Sequence, residues 1–177
     1  KDNFISLYNE IESGRIVNCR LVRNQLTVEL NYIKLVSEIL IDDQDASIIY
    51  EGGTVEESTP DNNASNAVNC MKKTLSAFNV SKVSDPEDIR ITVPFHGSQI
   101  EFFSRKENNM GDYDIKIKDR NGNVVQEAVC SADTDGKADA QSIFKSQILQ
   151  EDDYTLELTW ISGDYVIVDA FIVSSGG

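Results

Sequence analysis

Two groups of polar residues in this chain could do chemistry. The first is carboxylate: Asp42-Asp43-Gln44-Asp45, and Asp169 alone within Val166-Ile167-Val168-Asp169-Ala170-Phe171-Ile172-Val173. A charge inside a strand built for burial needs a cation, an arginine or a set of backbone donors. Carboxylate and carbonyl oxygens together suit calcium, which takes about six to eight of them. The same residues also fit a solvated acidic turn, with Asp169 capping nearby N–H groups. The second group is Arg105, Lys106, Glu107, Asn108, Asn109 and Asp112, in one loop after a strand. Amides and charged donors of this kind hydrogen-bond sugar hydroxyls, and they equally make an ordinary hairpin loop. Met110 and Gly111 set that loop's packing and turn.

Catalytic chemistry finds little support. The single histidine, His96, sits beside Gly97, with no serine or cysteine in a nucleophile motif. A nucleophile needs a base within hydrogen-bond reach. Glu51-Gly52-Gly53-Thr54 lacks the lysine and following helix of a phosphate loop. Carboxylates are too abundant to single out a glycosidase pair. A non-enzymatic protein is therefore expected. Cys19, Cys70 and Cys130 are far apart, which argues against zinc; three buried free thiols are the simpler reading, and one disulfide plus a free thiol is the alternative. Trp160 alternates with Leu156 and Leu158 and so belongs to the core, while Tyr154 and Tyr165 flank the same hairpin.

Charge excludes further classes. Thirty acidic residues against 16 lysines and arginines give a net charge of −14. Phosphate neutralisation, and with it nucleic-acid binding, is disfavoured. No apolar run approaches the ~20 residues of a membrane helix, so no membrane insertion is expected. The 177 residues suit one principal domain. The chain starts at Lys1 rather than methionine, as an excised fragment would.

The elements that must position these groups are mostly strands. Phe4, Leu7, Tyr8 and Ile11 predict a short N-terminal helix. Ile16–Leu21 and Leu26–Lys34 predict a hairpin, and 35–41 a further strand. Ile48–Glu51 is a short strand, 56–66 a loop. Residues 64–78 have helical apolar spacing, with a strand over Val68–Thr74 as the alternative. Strands follow at Ile89–Pro94, Gln99–Ser104, Tyr113–Lys118, Val124–Ser131, Gln141–Ser146, Tyr154–Ile161 and Tyr165–Val173. Many short strands with polar turns predict a β-sandwich.

Four segments in order carry a family resemblance. They are Asp42–Gly52 with Ile48-Ile49-Tyr50-Glu51-Gly52, Phe95-His96-Gly97-Ser98-Gln99-Ile100-Glu101-Phe102-Phe103, Glu107–Ile115, and Asp164–Val173 with Val168-Asp169-Ala170-Phe171. Together they resemble the galactose-binding-like jelly-roll modules that accompany bacterial carbohydrate-active enzymes. The likeness covers about residues 40–174. It departs at Gly53-Thr54-Val55, where the family has an aromatic, and at Gly97-Ser98, which lacks a second glycine.

The resemblance implies an all-β jelly-roll sandwich over 40–177. Residues 1–39 are then an added helix and hairpin that could meet neighbouring domains or subunits. It implies a structural calcium between first and last strands, with Asp42, Asp43 and Asp169 as ligands. It implies a non-catalytic module that carries a larger extracellular or surface protein to a glycan, through Arg105, Lys106, Asn108, Asn109 and Asp112. A structural or adhesion component, such as a phage tail or surface fibre, is the alternative. A lumenal protein-sorting domain fits less well.

Overall fold

A computed structural model describes the backbone of residues 18–22 and 25–29 and the whole of residues 37–176. These fall into two units, which are described separately. One holds an antiparallel hairpin, β1 (Asn18–Val22) and β2 (Gln25–Glu29), in register from Asn18↔Glu29 to Val22↔Gln25. The expected hairpin is there. The expected helix over residues 4–11 lies outside the described residues.

The other unit is an all-β sandwich. Its five-stranded sheet runs β10 (Val124–Ser131), β9 (Asp112–Asp119), β12 (Asp152–Trp160), β7 (Arg90–Gly97), β4 (Ile49–Glu51). A four-stranded sheet runs β11 (Ala138–Lys145), β8 (Gln99–Lys106), β14 (Ala170–Ser175), β3 (Ser37–Asp42). A three-stranded sheet runs β13 (Tyr165–Val168), β6 (Leu75–Asn79), β5 (Glu56–Ser58). β12 pairs antiparallel with both β7 and β9.

Period-two alternation builds the core, because successive side chains leave opposite faces of a strand. From the five-stranded sheet come Ile91 and Val93, Tyr113, Ile115 and Ile117, and Leu156 and Leu158, all buried. Opposite them lie Ile100, Phe102, Phe171 and Val173. Phe102 stacks on Phe171 with centroids 4.9 Å apart and tilts against Tyr113 at 6.3 Å. Each such side chain contributes about 1.5–3 kcal/mol of burial. Trp160 packs against this core as expected, its indole N–H donating to the Gly163 carbonyl at 3.1 Å.

The opening strand β3 lies beside the closing strand β14, so the two ends of the sandwich do meet. The closing run is two strands. β13 pairs with β6 and β14 with β8, and the chain changes partner at Asp169. The Asp169 N–H donates to the Phe103 carbonyl at 3.1 Å, and the Ser104 hydroxyl to the Ile167 carbonyl at 2.7 Å.

Two expectations are corrected. Residues 56–66 are not all loop, since β5 pairs with β6 from Glu56↔Ala77 to Ser58↔Leu75. Residues 64–78 are neither one helix nor a strand over Val68–Thr74. They form a one-turn helix α1 (Ala64–Ala67), a turn at Met71–Lys73, then β6. Lys72 and Lys73 take φ of 47° and 62°, left-handed values that end either regular element. The apolar period survives because Ala67, Leu75 and Phe78 reach the core from different elements.

Candidate functional site

Asp42, Asp43 and Asp169 come together where β3 ends beside the break in the closing strand. Asp43 and Asp169 are fully buried. The Asp43 N–H donates to the Asp169 carbonyl at 3.2 Å. Asp43 accepts from the Thr74 hydroxyl at 2.5 Å and the Ser76 hydroxyl at 2.7 Å. Asp42 accepts a longer bond from Thr74, 3.2 Å. Asp169 accepts from the Met71 N–H at 2.7 Å, which ties the left-handed turn to the closing strand. One oxygen of Asp42 and one of Asp169 are buried with no partner among the described residues.

Burial drives the titration here. It pushes Asp43 up to about 6, against the pull of the Thr74 and Ser76 hydroxyls, with Asp42 adding to the rise. It pushes Asp169 up to about 7, opposed by the Met71 N–H and helped by Asp43, Asp139 and Asp42. Asp42 is raised as well, chiefly by burial and in spite of Lys72. Asp45 does not join the cluster. It is exposed, accepts from Ser47, and is held low by those bonds.

These residues fit calcium in donor type, since every side-chain atom offered is oxygen and two buried carboxylate oxygens lack partners. Asp42 and Asp169 would supply those two. Both oxygens of Asp43 already accept from hydroxyls, which places it behind them. Among the described residues no group of three His, Cys, Asp or Glu side chains is arranged to hold a metal ion. Backbone carbonyls would have to complete the set.

The loop group lies elsewhere. A polar cleft of about 540 Å³ opens between β5 and α1 on one side and the β8–β9 loop on the other. Leu75, Ala77 and Ile167 provide its apolar lining. Arg105, Asn108 and Asn109 line it, as do Glu107 and Met110. Lys106 and Asp112 do not. Lys106 is half-buried in the ladder opposite Ala138, and the Asp112 carboxylate accepts from the Ser162 hydroxyl at 3.1 Å.

Arg105 is a strut of the cleft wall. It is 4% exposed. Its Nε donates to Asp139 at 2.5 Å, one terminal nitrogen to the Asn66 side chain at 2.9 Å, and the other to the Asn66 carbonyl. Asp139 reaches it from a bulge in β11, where Ala140 takes φ 52°. A left-handed alanine costs about 1–2 kcal/mol, and the buried ion pair opposes that cost.

The β8–β9 loop is held without a ligand. Asn109, at φ 68°, donates its N–H to Asp133 at 3.0 Å, and its carbonyl accepts from the Asp164 N–H at 2.9 Å. The Glu107 N–H donates to the Ala132 carbonyl at 3.2 Å. Gly111 is required by close approach, because a Cβ there would sit 1.8 Å from the Ser162 carbonyl oxygen.

Residues 56–66 supply cleft residues that sequence reasoning left in a loop, namely Glu56, Glu57, Ser58, Asn63 and Asn66. Lys137, Asp164 and Tyr165 were also missed as site residues. The one available signal was Tyr165, an aromatic at the start of a strand; it lines the cleft and is 37% exposed. A second, smaller hollow of about 390 Å³ is lined by Phe95, His96, Arg120 and Tyr154. His96 there bonds Asp153 at 2.7 Å on the surface. Burial pushes the Cys70 and Cys130 thiols up to about 12, so both stay protonated and unreactive.

No protein-family model and no curated protein matches this chain. Solved structures do. A CBM35 module from Cellvibrio japonicus Abf62 matches over 80% of this chain and 94% of its own, at 11% identity and a TM-score of 0.50. The sandwich has the fold of a carbohydrate-binding module. Two esterases align with it over part of their length. A family two carbohydrate esterase from Cellvibrio japonicus is 13% identical with a TM-score of 0.50, over 80% of this chain. A two-domain esterase active on acetylated mannans, co-crystallized with mannopentaose, is 15% identical with a TM-score of 0.56, over 96% of this chain. The module-like chain spans about a third of the first esterase and about half of the second, 34% and 53%. At these identities the likeness concerns the fold.

Proposed function

We propose that this chain is a non-catalytic carbohydrate-binding module that holds a larger, extracellular protein on a glycan. The observation that carries the reading is the pre-formed cleft. It combines the exposed ring of Tyr165 with the amides of Asn63, Asn108 and Asn109 above an apolar lining. A flat ring takes the apolar face of a pyranose, and the amides take its hydroxyls. Because hydrogen bonds already fix the loop backbone, little conformational entropy is lost on binding. The fold it shares with a CBM35 module supports the reading. Arg105 serves by holding Asn66 in place.

The buried carboxylates serve stability in this reading. A structural calcium held by Asp42 and Asp169 would neutralise charge gathered by these buried carboxylates.

Binding is tested by a glycan array followed by isothermal titration of the best hit. Tyr165→Ala and Asn108→Ala should each weaken binding about 5–50-fold with an unchanged melting temperature. An array without a hit, or binding indifferent to both changes, refutes the reading. Calcium is tested separately by melting in EDTA and in millimolar calcium. Identical curves would remove the ion.

A further inference from the structure

The charge balance of the cleft narrows the class of glycan, and the inference rests on the carbohydrate reading above. Among the described residues four acids line it: Glu56, Glu57, Glu107 and Asp164. Glu56 is paired with Lys82, 2.6 Å away. The carboxylates of Glu57, Glu107 and Asp164 make no ion pair or hydrogen bond within the described residues, and they come from three separate places: β5, the β8–β9 loop and the segment before β13. Among the described residues two cations line the same cleft. Arg105 is buried and neutralised by Asp139 at 2.5 Å, so it gives the ligand no net positive charge. Lys137 is the remaining one. A sugar seated on Tyr165 therefore meets more free carboxylate than free cation, in a chain whose net charge is already −14.

We propose that the cleft selects amino sugars, with the ring on Tyr165 and a protonated amine held among Glu57, Glu107 and Asp164. An acidic sugar is the disfavoured class. Its carboxylate would face three like charges and would find Arg105 already engaged. A neutral sugar can use the asparagine amides but leaves the three carboxylates unanswered. Open carboxylates stay hydrated at no folding cost, so nothing in the fold opposes keeping them where a cation is to be met. Charge attraction in such an open site is screened within about 8–10 Å at ordinary ionic strength, so selectivity depends on the amine seating within the cleft.

Isothermal titration of the full chain with three trisaccharides tests this: glucosamine, N-acetylglucosamine and glucuronic acid units. Each is run in calcium and in EDTA, at 50 and 500 mM salt. The glucosamine trisaccharide should bind at least about 10-fold tighter than the N-acetylated one, and the glucuronic acid one weakest, with the preference shrinking at high salt. The variant Glu57→Gln, Glu107→Gln, Asp164→Asn should lose that preference about 10-fold and keep its neutral-sugar affinity. Asp85→Asn, Glu87→Gln, Asp88→Asn makes the same charge change at exposed positions outside the cleft and should leave the preference intact. Equal loss in both variants would mean general attraction to an acidic protein and overturn the proposal. So would a preference for the neutral or acidic trisaccharide, or binding of a neutral sugar that appears only with calcium. Those results leave the carbohydrate reading standing. Failure of every glycan on the array and in titration overturns both.

Discussion

Around Asp169 the carboxylates are buried, crowded and strongly shifted, whereas around Asn108 the carboxylates of Glu57, Glu107 and Asp164 face an open cleft. Both places are acidic, and both draw residues from distant parts of the chain. They differ in water. A buried carboxylate must be answered inside the fold, so Asp43 takes two hydroxyls and Asp169 takes the Met71 N–H. An open one is answered by solvent and stays available to a ligand. Changes at the first place should therefore move stability, and changes at the second should move binding.

Arg105 tests that division most severely, because it is buried yet belongs to the cleft. Arg105→Ala leaves Asp139 buried without its cation and should cost about 3–5 kcal/mol in urea denaturation, with binding lost as well. If stability is unchanged, the strut assignment is wrong. Next comes pH. Asp43 and Asp169 titrate at about 6 and about 7 in the fold, above the ordinary carboxylate value of 3.8. Their folded pKa values are raised, so the stability they contribute is fully present below about pH 4 and is lost as pH rises through 6 to 7. Without metal, unfolding free energy should fall across pH 4.5 to 7.5. The slope should be about 1.4 kcal/mol per pH unit for each carboxylate that is protonated in the fold and ionised in the unfolded chain. A flat profile in EDTA would contradict the buried cluster.

Asp169→Asn sharpens the same point. The amide oxygen can still accept from Met71 while the charge is gone. In EDTA at pH 7.5 the variant should be as stable as the parent or about 1–3 kcal/mol more so, and calcium should no longer raise its melting temperature. A large loss of stability in EDTA would show that the charge itself is needed. Smallest is Asn108→Ala, at an exposed loop position. Its stability should change by less than about 0.5 kcal/mol, while glycan affinity falls. A variant that melts early would erase the contrast between the two regions.

Much of the sandwich was legible. The alternation in β9, β12 and β7 comes straight from the period of two, and Asp169 stood out because its neighbours are apolar. The cleft was half legible. Asn108 and Asn109 were found because the β8–β9 loop is polar and follows a strand. Lys106 and Asp112, in the same run, do not line the cleft, and the Asp112 carboxylate accepts from Ser162 instead. The bonds of Arg105 were hidden, because a sequence cannot show that Asp139 and Asn66 converge on its guanidinium. The wall formed by Glu56–Ser58 and α1 was hidden, since three residues of strand and one turn of helix carry too little period to register.

By itself the sequence determined an acidic β-sandwich, which of its faces are buried, and that Asp169 needed a partner. Those properties follow from local alternation and composition. The tertiary structure decided the rest. It split the closing run between two sheets at Asp169, set Asp42 and Asp43 beside it, and paired Arg105 with Asp139. The reason is range. Hydrogen bonds and ion pairs act over a few ångströms, yet Asp43 and Thr74 lie 31 residues apart along the chain, and Met71 and Asp169 lie 98 apart.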